Sequence, residues 1–512
     1  RTVFVLRVVV RWPNSMLTRT LKNDVTRHGL RCLGTAVVGT KLPGPPLFSG
    51  LHAVVTDRMR ETQYQIQLRQ KYGDVVRLWC GQELVMIFDP DIWMDILRKE
   101  GPFPYGAAMD IWPLVKFADL HSVSFFGTAH GEAWREPRRK FQAHVFSHAA
   151  VDQYQPGISS VAHDAASFLR QNPVPDLGEL TMNVSFEMVA QILLGKRMGL
   201  LDRSSSTTVK HFVDNAVTSF RIISKLLFVP QVNNTLMLRS IPLWRRFEAA
   251  MHAVMEHGTT LLEEAESAQP PDAVFTKLLH EDAMTREVKL ANLIGLLQAA
   301  VDTTTAIFIW VIYQLARHPA EQERLREEVR RVLPGGDYNK QLAPQVPYLK
   351  AFIREVQRYS PAAAGTSRRL PFPIELENTT VPSNALLLFS GLSFNRDGDL
   401  LGADPDVFHP ERWLAARDVP KGADARKPYV TENGAVAPAP ILSHPLLATP
   451  FGFGPRMCVG ARIAQSEINT LVSRLVHDFR ISLDPAVQDI SVAHPLLCVP
   501  DPTPRLRFDP VM

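Results

Sequence analysis

The chain has 512 residues, 46% hydrophobic and 21% charged, with a formal net charge of +4. That balance is ordinary for a globular protein with a sizeable core, and so slight a charge, spread along the chain, argues against nucleic acid as the main partner. Four cysteines far apart (Cys32, Cys80, Cys458 and Cys498) form no CxxC pair, zinc spacing or dense disulfide framework, and they fit a reducing compartment.

Residues 1–41 set eight basic side chains, from Arg1 and Arg7 to Arg31 and Lys41, against the single acid Asp24. An Arg-rich, acid-poor start of this kind reads as an organellar import leader. The rival is a membrane anchor, but the apolar run at 3–10 is broken by Arg7 and falls far short of the ~20 residues a span needs. The folded body, 42–512, begins at the stiff hinge Leu42-Pro43-Gly44-Pro45-Pro46.

A helix is predicted over 55–72, then two strands over 74–79 and 84–88 joined as a hairpin at Gly81-Gln82. From 130 to 270 the pattern is mostly helical, with breaks expected near Pro137, Pro156, Pro173 and Pro175. The apolar stretch 222–237, interrupted by Pro230, reads as core rather than as a surface meeting lipid. Residues 288–318 carry the longest helical pattern, apolar on most sides as a buried central helix would be. Gln298, Asp302 and three consecutive threonines argue against a membrane span there.

A surface helix over 320–333 follows, closed by Pro334-Gly335-Gly336, then a helix over 348–359 ended by Pro361. Short strands are expected at 374–376 and 385–389, a Pro/Gly-rich surface loop at 416–440, and a helix over 461–479. The prediction is one large, mainly α domain with small β-sheets, built around a long central helix.

Five stretches carry polar chemistry. Phe451-Gly452-Phe453-Gly454-Pro455-Arg456-Met457-Cys458-Val459-Gly460 offers one thiol in a glycine-rich loop just before a helix, whose N-terminal amides favour the thiolate that ligates metal. Cys80 and Cys498 read as small hydrophobic filler. Ala299-Ala300-Val301-Asp302-Thr303-Thr304 puts an acid beside a hydroxyl within the buried helix, either a satisfied kink or a proton relay. Glu355 and Arg358 share one helical face, as ordinary surface pairs also do. Arg412 follows in Phe408-His409-Pro410-Glu411-Arg412-Trp413, and Trp134 and Arg138 are spaced by one turn.

Together, in this order, the motifs resemble the haem-thiolate monooxygenases, the cytochromes P-450, over nearly the whole chain from residue 42. One departure is Ala300, where the family usually has glycine. The resemblance implies haem b as cofactor with Cys458 as its axial thiolate, and Phe451 packed near the sulfur. It implies that Trp134, Arg138, Arg368 and Arg456 hold the haem propionates, and that Glu355, Arg358 and Arg412 form a structural network behind the haem. Asp302 and Thr303 would deliver protons on the oxygen side. The implied reaction inserts one atom of O₂ into a hydrophobic substrate.

Within the family the chain is similar to the mitochondrial branch, whose members oxidise sterols, steroids and secosteroids. Lys350 and Arg354, one turn apart, and Arg462 match the basic positions that meet an acidic ferredoxin, although the neighbouring arginine of those relatives is Ala461 here. That resemblance implies peripheral association with the inner membrane on its matrix side. Lys350 and Arg354 could equally form a solvated helix face. Other readings stay open: a peroxide-rearranging haem-thiolate enzyme without external electrons, against which Asp302-Thr303 speaks; a non-catalytic haem or lipid-binding protein; and a monooxygenase of the endoplasmic reticulum served by a diflavin reductase.

Overall fold

In the computed structural model of the chain, the described residues run from 42 to 511 except 47–61, 80–82, 103, 105–111, 227–233, 269–273, 275–277, 279–283, 364, 377–378, 399–404, 416–428, 431–435, 438–443, 485–489 and 494–496. The expected leader, Cys32, Cys80, the turn at Gly81-Gln82 and most of the 416–440 loop lie outside them.

Helix α1 (Thr62–Tyr72) leads into strands β1 (Val75–Trp79) and β2 (Glu83–Ile87), which pair antiparallel with Val75 opposite Ile87. The sheet is completed from far along the chain by β3 (Thr366–Arg369) and, after the short hairpin β4 (Ile374–Leu376) and β5 (Thr379–Val381), by β6 (Leu386–Phe389). β2 pairs parallel with β6 and β6 antiparallel with β3. The hinge lies along the edge of this sheet: the Arg77 amide donates to the Pro43 carbonyl at 2.8 Å. A Cβ on Gly44 would come within 2.0 Å of the Arg77 carbonyl oxygen, so only glycine allows this approach.

The helical body comprises α2 (Pro90–Lys99), α3 (Trp112–His121), α4 (Gly131–His144), α5 (His148–Gln171), α6 (Leu177–Leu194), α7 (Thr207–Leu226), the short α8 (Thr235–Arg239) and α9 (Pro242–Ala268). Pro137 and Pro156 do not break helices as expected; they lie inside α4 and α5. An interior proline forfeits one backbone hydrogen bond, at about 3 kcal/mol. Both helices are carried through it by buried faces, Trp134, Arg138 and Phe141 in α4 and Tyr154, Ile158 and Val161 in α5. Pro173 and Pro175 do mark a break, before the Asp176 cap of α6.

The stretch 222–237 divides. Ile222, Ile223 and Leu226 are buried with Trp112, Trp244 and Phe247 in an aromatic cluster, as the core reading requires. In α8, however, Leu236 is 84% exposed and Met237 44% exposed.

The central helix is α10 (Arg286–Arg317), 32 residues started by Thr285, whose hydroxyl accepts the Val288 amide. At ~1.5 Å per residue it runs roughly 48 Å through the molecule. It packs against α6, α7 and α9, and its second half is buried almost all round. Among the described residues it alone is long and apolar enough to cross a membrane, and its burial in the core accounts for that composition.

Next come α11 (Pro319–Val332), α12 (Pro347–Tyr359), α13 (Gly391–Phe394), α14 (Arg412–Ala415) and the two-residue strands β7 (Tyr429–Val430) and β8 (Val436–Ala437). The chain closes with α15 (Ala461–Asp478), β9 (Phe479–Leu483), β10 (Ser491–Ala493), β11 (Val499–Asp501) and β12 (Leu506–Pro510), in which β9 pairs with β12 and β10 with β11. α10 also contacts α12 and α15, so the helix with the acid–hydroxyl pair meets the helix that follows the cysteine loop. The architecture is the mainly α body with small sheets that the sequence predicts.

Candidate active site

The cysteine loop is closed by its own backbone. The Cys458 amide donates to the Phe451 carbonyl at 2.8 Å and the Met457 amide to the Gly454 carbonyl at 3.0 Å. Gly452 and Gly454 take left-handed conformations, φ 72° and 76°, which other residues enter only with strain. Gly460 caps α15, and its amide and that of Ala461 hydrogen-bond the Cys458 sulfur. Cys458 is exposed, though it lies deep enough in the molecule that burial pushes its thiol up. The two amides and the Arg138 charge pull it down, as a helix N-terminus should, but burial outweighs them. A Cβ at Gly460 would stand 3.8 Å from the sulfur.

Around this loop three basic side chains and one indole converge. Arg138, buried on α4, donates to the Met457 carbonyl at 2.6 Å. The buried Trp134 ring has the Arg456 guanidinium 4.1 Å and the Arg138 guanidinium 5.6 Å from its centre. Arg456 donates to the Pro104 carbonyl at 2.8 Å and the Ala129 carbonyl at 2.9 Å.

Arg368, on β3, donates to the Phe453 carbonyl at 3.2 Å and pairs with Glu100, both partners buried. Burial raises the Glu100 carboxyl against the lowering effect of Arg368 and Arg456. Glu100 as the partner of Arg368 has no signal in the sequence, because its contact is made 268 positions away.

The polar patch of α10 combines a kink-type bond with an orphaned acid. Thr303 is exposed in a helix that is otherwise largely buried, and its hydroxyl donates to the Ala299 carbonyl at 2.9 Å. Thr305 does the same to Val301 at 2.6 Å. The Ala300 carbonyl accepts from Ser185 of α6 at 2.9 Å. Asp302 has a buried Oδ2 with no hydrogen-bond partner. Burial pushes its carboxyl up to about 6, tempered by the charge of Arg221 on α7. Arg221 is a second neighbour that sequence spacing does not reveal.

Glu355 and Arg358 are not a surface pair. Both are fully buried, joined by two bonds of 2.9 and 2.7 Å. Glu355 also accepts from Arg412 at 3.1 Å, Trp413 at 2.9 Å and the His409 amide at 2.8 Å, while Arg358 donates to the carbonyls of Asn395, Pro405 and Val407. Burial alone would raise the Glu355 carboxyl; Arg358, the His409 amide and Arg412 hold it below the usual range. Of the expected basic trio, Lys350 is exposed. Arg462 is also exposed and donates to the Phe146 carbonyl at 2.8 Å. Arg354 is half-buried, its guanidinium 4.0 Å from the centre of the Trp413 ring.

The Cytochrome P-450 family model matches residues 42–508. The chain belongs to the cytochrome P-450 family. It is similar to the mitochondrial cholesterol side-chain cleavage enzyme of Hypanus americanus, 27% identical over 465 residues that cover 86% of this chain and 84% of that protein. It resembles equally the mitochondrial sterol 26-hydroxylase of Homo sapiens, 27% identical over 470 residues, covering 87% and 84%. The mitochondrial cholesterol side-chain cleavage enzyme of Capra hircus is 27% identical over 462 residues, covering 86% and 83%.

As a member of this family the protein is a cytochrome P-450 monooxygenase with a haem-thiolate cofactor. The residues present fit such a group. An accessible thiol is flanked by inward-turned amides, three loop glycines keep side chains away, and guanidinium groups with an indole are gathered beside it, suited to the carboxylates of a flat anionic ring.

Proposed function

We propose that Cys458 would hold haem b through its thiolate, and that this cytochrome P-450 hydroxylates a sterol-like substrate with electrons from a mitochondrial ferredoxin. The observation that carries the ligand assignment is the accessible Cys458 thiol, met by the amides of Gly460 and Ala461 at the start of α15. The substrate class rests on the sterol-oxidising relatives. Haem, when bound, supplies the oxygen chemistry that inserts one atom of O₂ into a C–H bond and reduces the other to water.

The chain's own residues then divide the remaining work. The amides on the Cys458 sulfur draw off part of its charge and so tune its electron donation. Phe451 packs beside that sulfur as the loop's first residue. Trp134, Arg138 and Arg456 would hold the propionates, and Arg368 would assist from its pair with Glu100, whose charge Arg456 also feels. Asp302, able to gain and lose a proton near pH 6, feeds protons to Thr303. For Thr303 to hand a proton onward, its hydroxyl must leave the Ala299 carbonyl it now bonds.

Lys350 and Arg462 offer exposed charge to an acidic ferredoxin, whereas Arg354, stacked on Trp413, contributes less. Exposed Leu236 and Met237 suit peripheral contact with the inner mitochondrial membrane. The test is reconstitution with a mitochondrial-type ferredoxin and its reductase, screening sterols for binding spectra and oxygenated product. Turnover with that system and a sterol supports the reading. Turnover only with a diflavin reductase, or no spectral response to any sterol, overturns it.

A further inference from the structure

Away from the haem loop, one cluster has no part in the reading above. His121 ends α3, and Glu248 and His252 are one turn apart on α9, hence on the same helical face. One donor atom of each lies within 4.8 Å of the others. His121 Nε2 is 3.0 Å from Glu248 Oε1, and the two imidazoles meet edge to face with centroids 4.3 Å apart. Fully buried Phe117 lies against both rings, at 4.6 and 5.4 Å.

We propose that His121, Glu248 and His252 form a binding site for a divalent late transition metal, zinc foremost, which would staple α3 to α9. Two imidazoles and one carboxylate are a zinc donor set, with a water completing the tetrahedron. Ligands of one zinc ion stand roughly 3.3 Å apart; His121 and Glu248 already meet that spacing, and the remaining separations, none above 4.8 Å, must close by at most about 1.5 Å. Rotation of the exposed His252 supplies that movement. The rings must be neutral to bind, so binding releases any proton they hold. One group opposes the metal: Arg239 donates to Glu248 Oε1 at 3.1 Å and shares the carboxylate. A hydrogen-bonded surface network would contain the same contacts, and Arg239 separates the two cases. In such a network its removal loosens the cluster; in a metal site it frees a ligand.

The experiment titrates zinc chloride into haem-loaded enzyme by calorimetry, with magnesium chloride as the control cation. Wild type should show one saturable zinc site. His252→Asn and Glu248→Gln should each weaken it at least about tenfold, and Arg239→Gln should tighten it several-fold. Zinc should also raise the thermal midpoint of wild type but not of His252→Asn. The exposure of His252 makes that variant safe for folding, and an intact haem spectrum verifies each protein. The proposal is overturned by zinc binding unchanged in His252→Asn and Glu248→Gln, by weaker binding in Arg239→Gln, by equal magnesium binding, or by no saturable site at all.

Discussion

Replacing Asp302 by asparagine should make the protein more stable and less active. The Asp302 carboxyl is pushed from 3.8 up to about 6 by burial, and its Oδ2 has no partner. The folded state therefore keeps this proton to higher pH than the unfolded chain does. Between about pH 4 and 6 folding takes up a proton, so stability falls as pH rises through that window, and above it the full cost is present. At about 1.4 kcal/mol per unit, a shift of this size costs about 3 kcal/mol at neutral pH. Asparagine removes the charge but keeps the shape. The expected gain is about 2–3 kcal/mol near pH 7, fading toward zero as pH falls to about 4.

For a domain this large, that is about 2–3 °C in thermal midpoint. Midpoints of the haem-loaded proteins, measured across pH, read the gain directly, and steady-state turnover should fall by about tenfold or more through lost proton delivery. Equal midpoints near pH 7, or a gain that does not change with pH, would refute a buried carboxylate at 302 that Arg221 only partly compensates.

Glu355→Gln should cost about 3–5 kcal/mol, because the buried Arg358 charge would keep only carbonyl partners; a thermal midpoint and haem-loaded yield equal to wild type would contradict this. Thr303→Ala should leave haem loading intact but divert electrons from product to peroxide, seen as consumption of reductant exceeding product formed; full coupling would remove Thr303 from proton delivery. Lys350→Glu should slow ferredoxin-dependent reduction most at low salt, with the difference closing as salt is raised. An unchanged rate at low salt would leave Lys350 an ordinary solvated side chain.

The long helix was legible because its apolar pattern is dense enough to survive three threonines and an aspartate. The hairpin β1–β2 and the stops at Pro334 and Pro361 were legible for a similar reason, since local backbone preference and tertiary packing agree there. Pro137 and Pro156 misled because a local penalty of about 3 kcal/mol is outweighed by helix faces whose burial no window of sequence displays.

The site follows the same division. Cys458, Arg456 and the glycines are contiguous and carry their chemistry in the order of residues. Glu355 and Arg358 share a helix turn, but their burial depends on Arg412, Trp413 and backbone carbonyls some fifty positions later. The pairing of Arg368 with Glu100, the approach of Arg221 to Asp302 and the meeting of His121 with Glu248 and His252 arise only when distant elements pack. Periodicity carries no trace of them.

The most direct measurement is the spectrum of the reduced carbon monoxide complex of Cys458→Ser. With Cys458 as the iron ligand, the thiolate-type band of the wild-type complex should be lost while the helical fold remains. The same band persisting in Cys458→Ser would mean that another residue holds the iron, and the site built around this loop would fall with it.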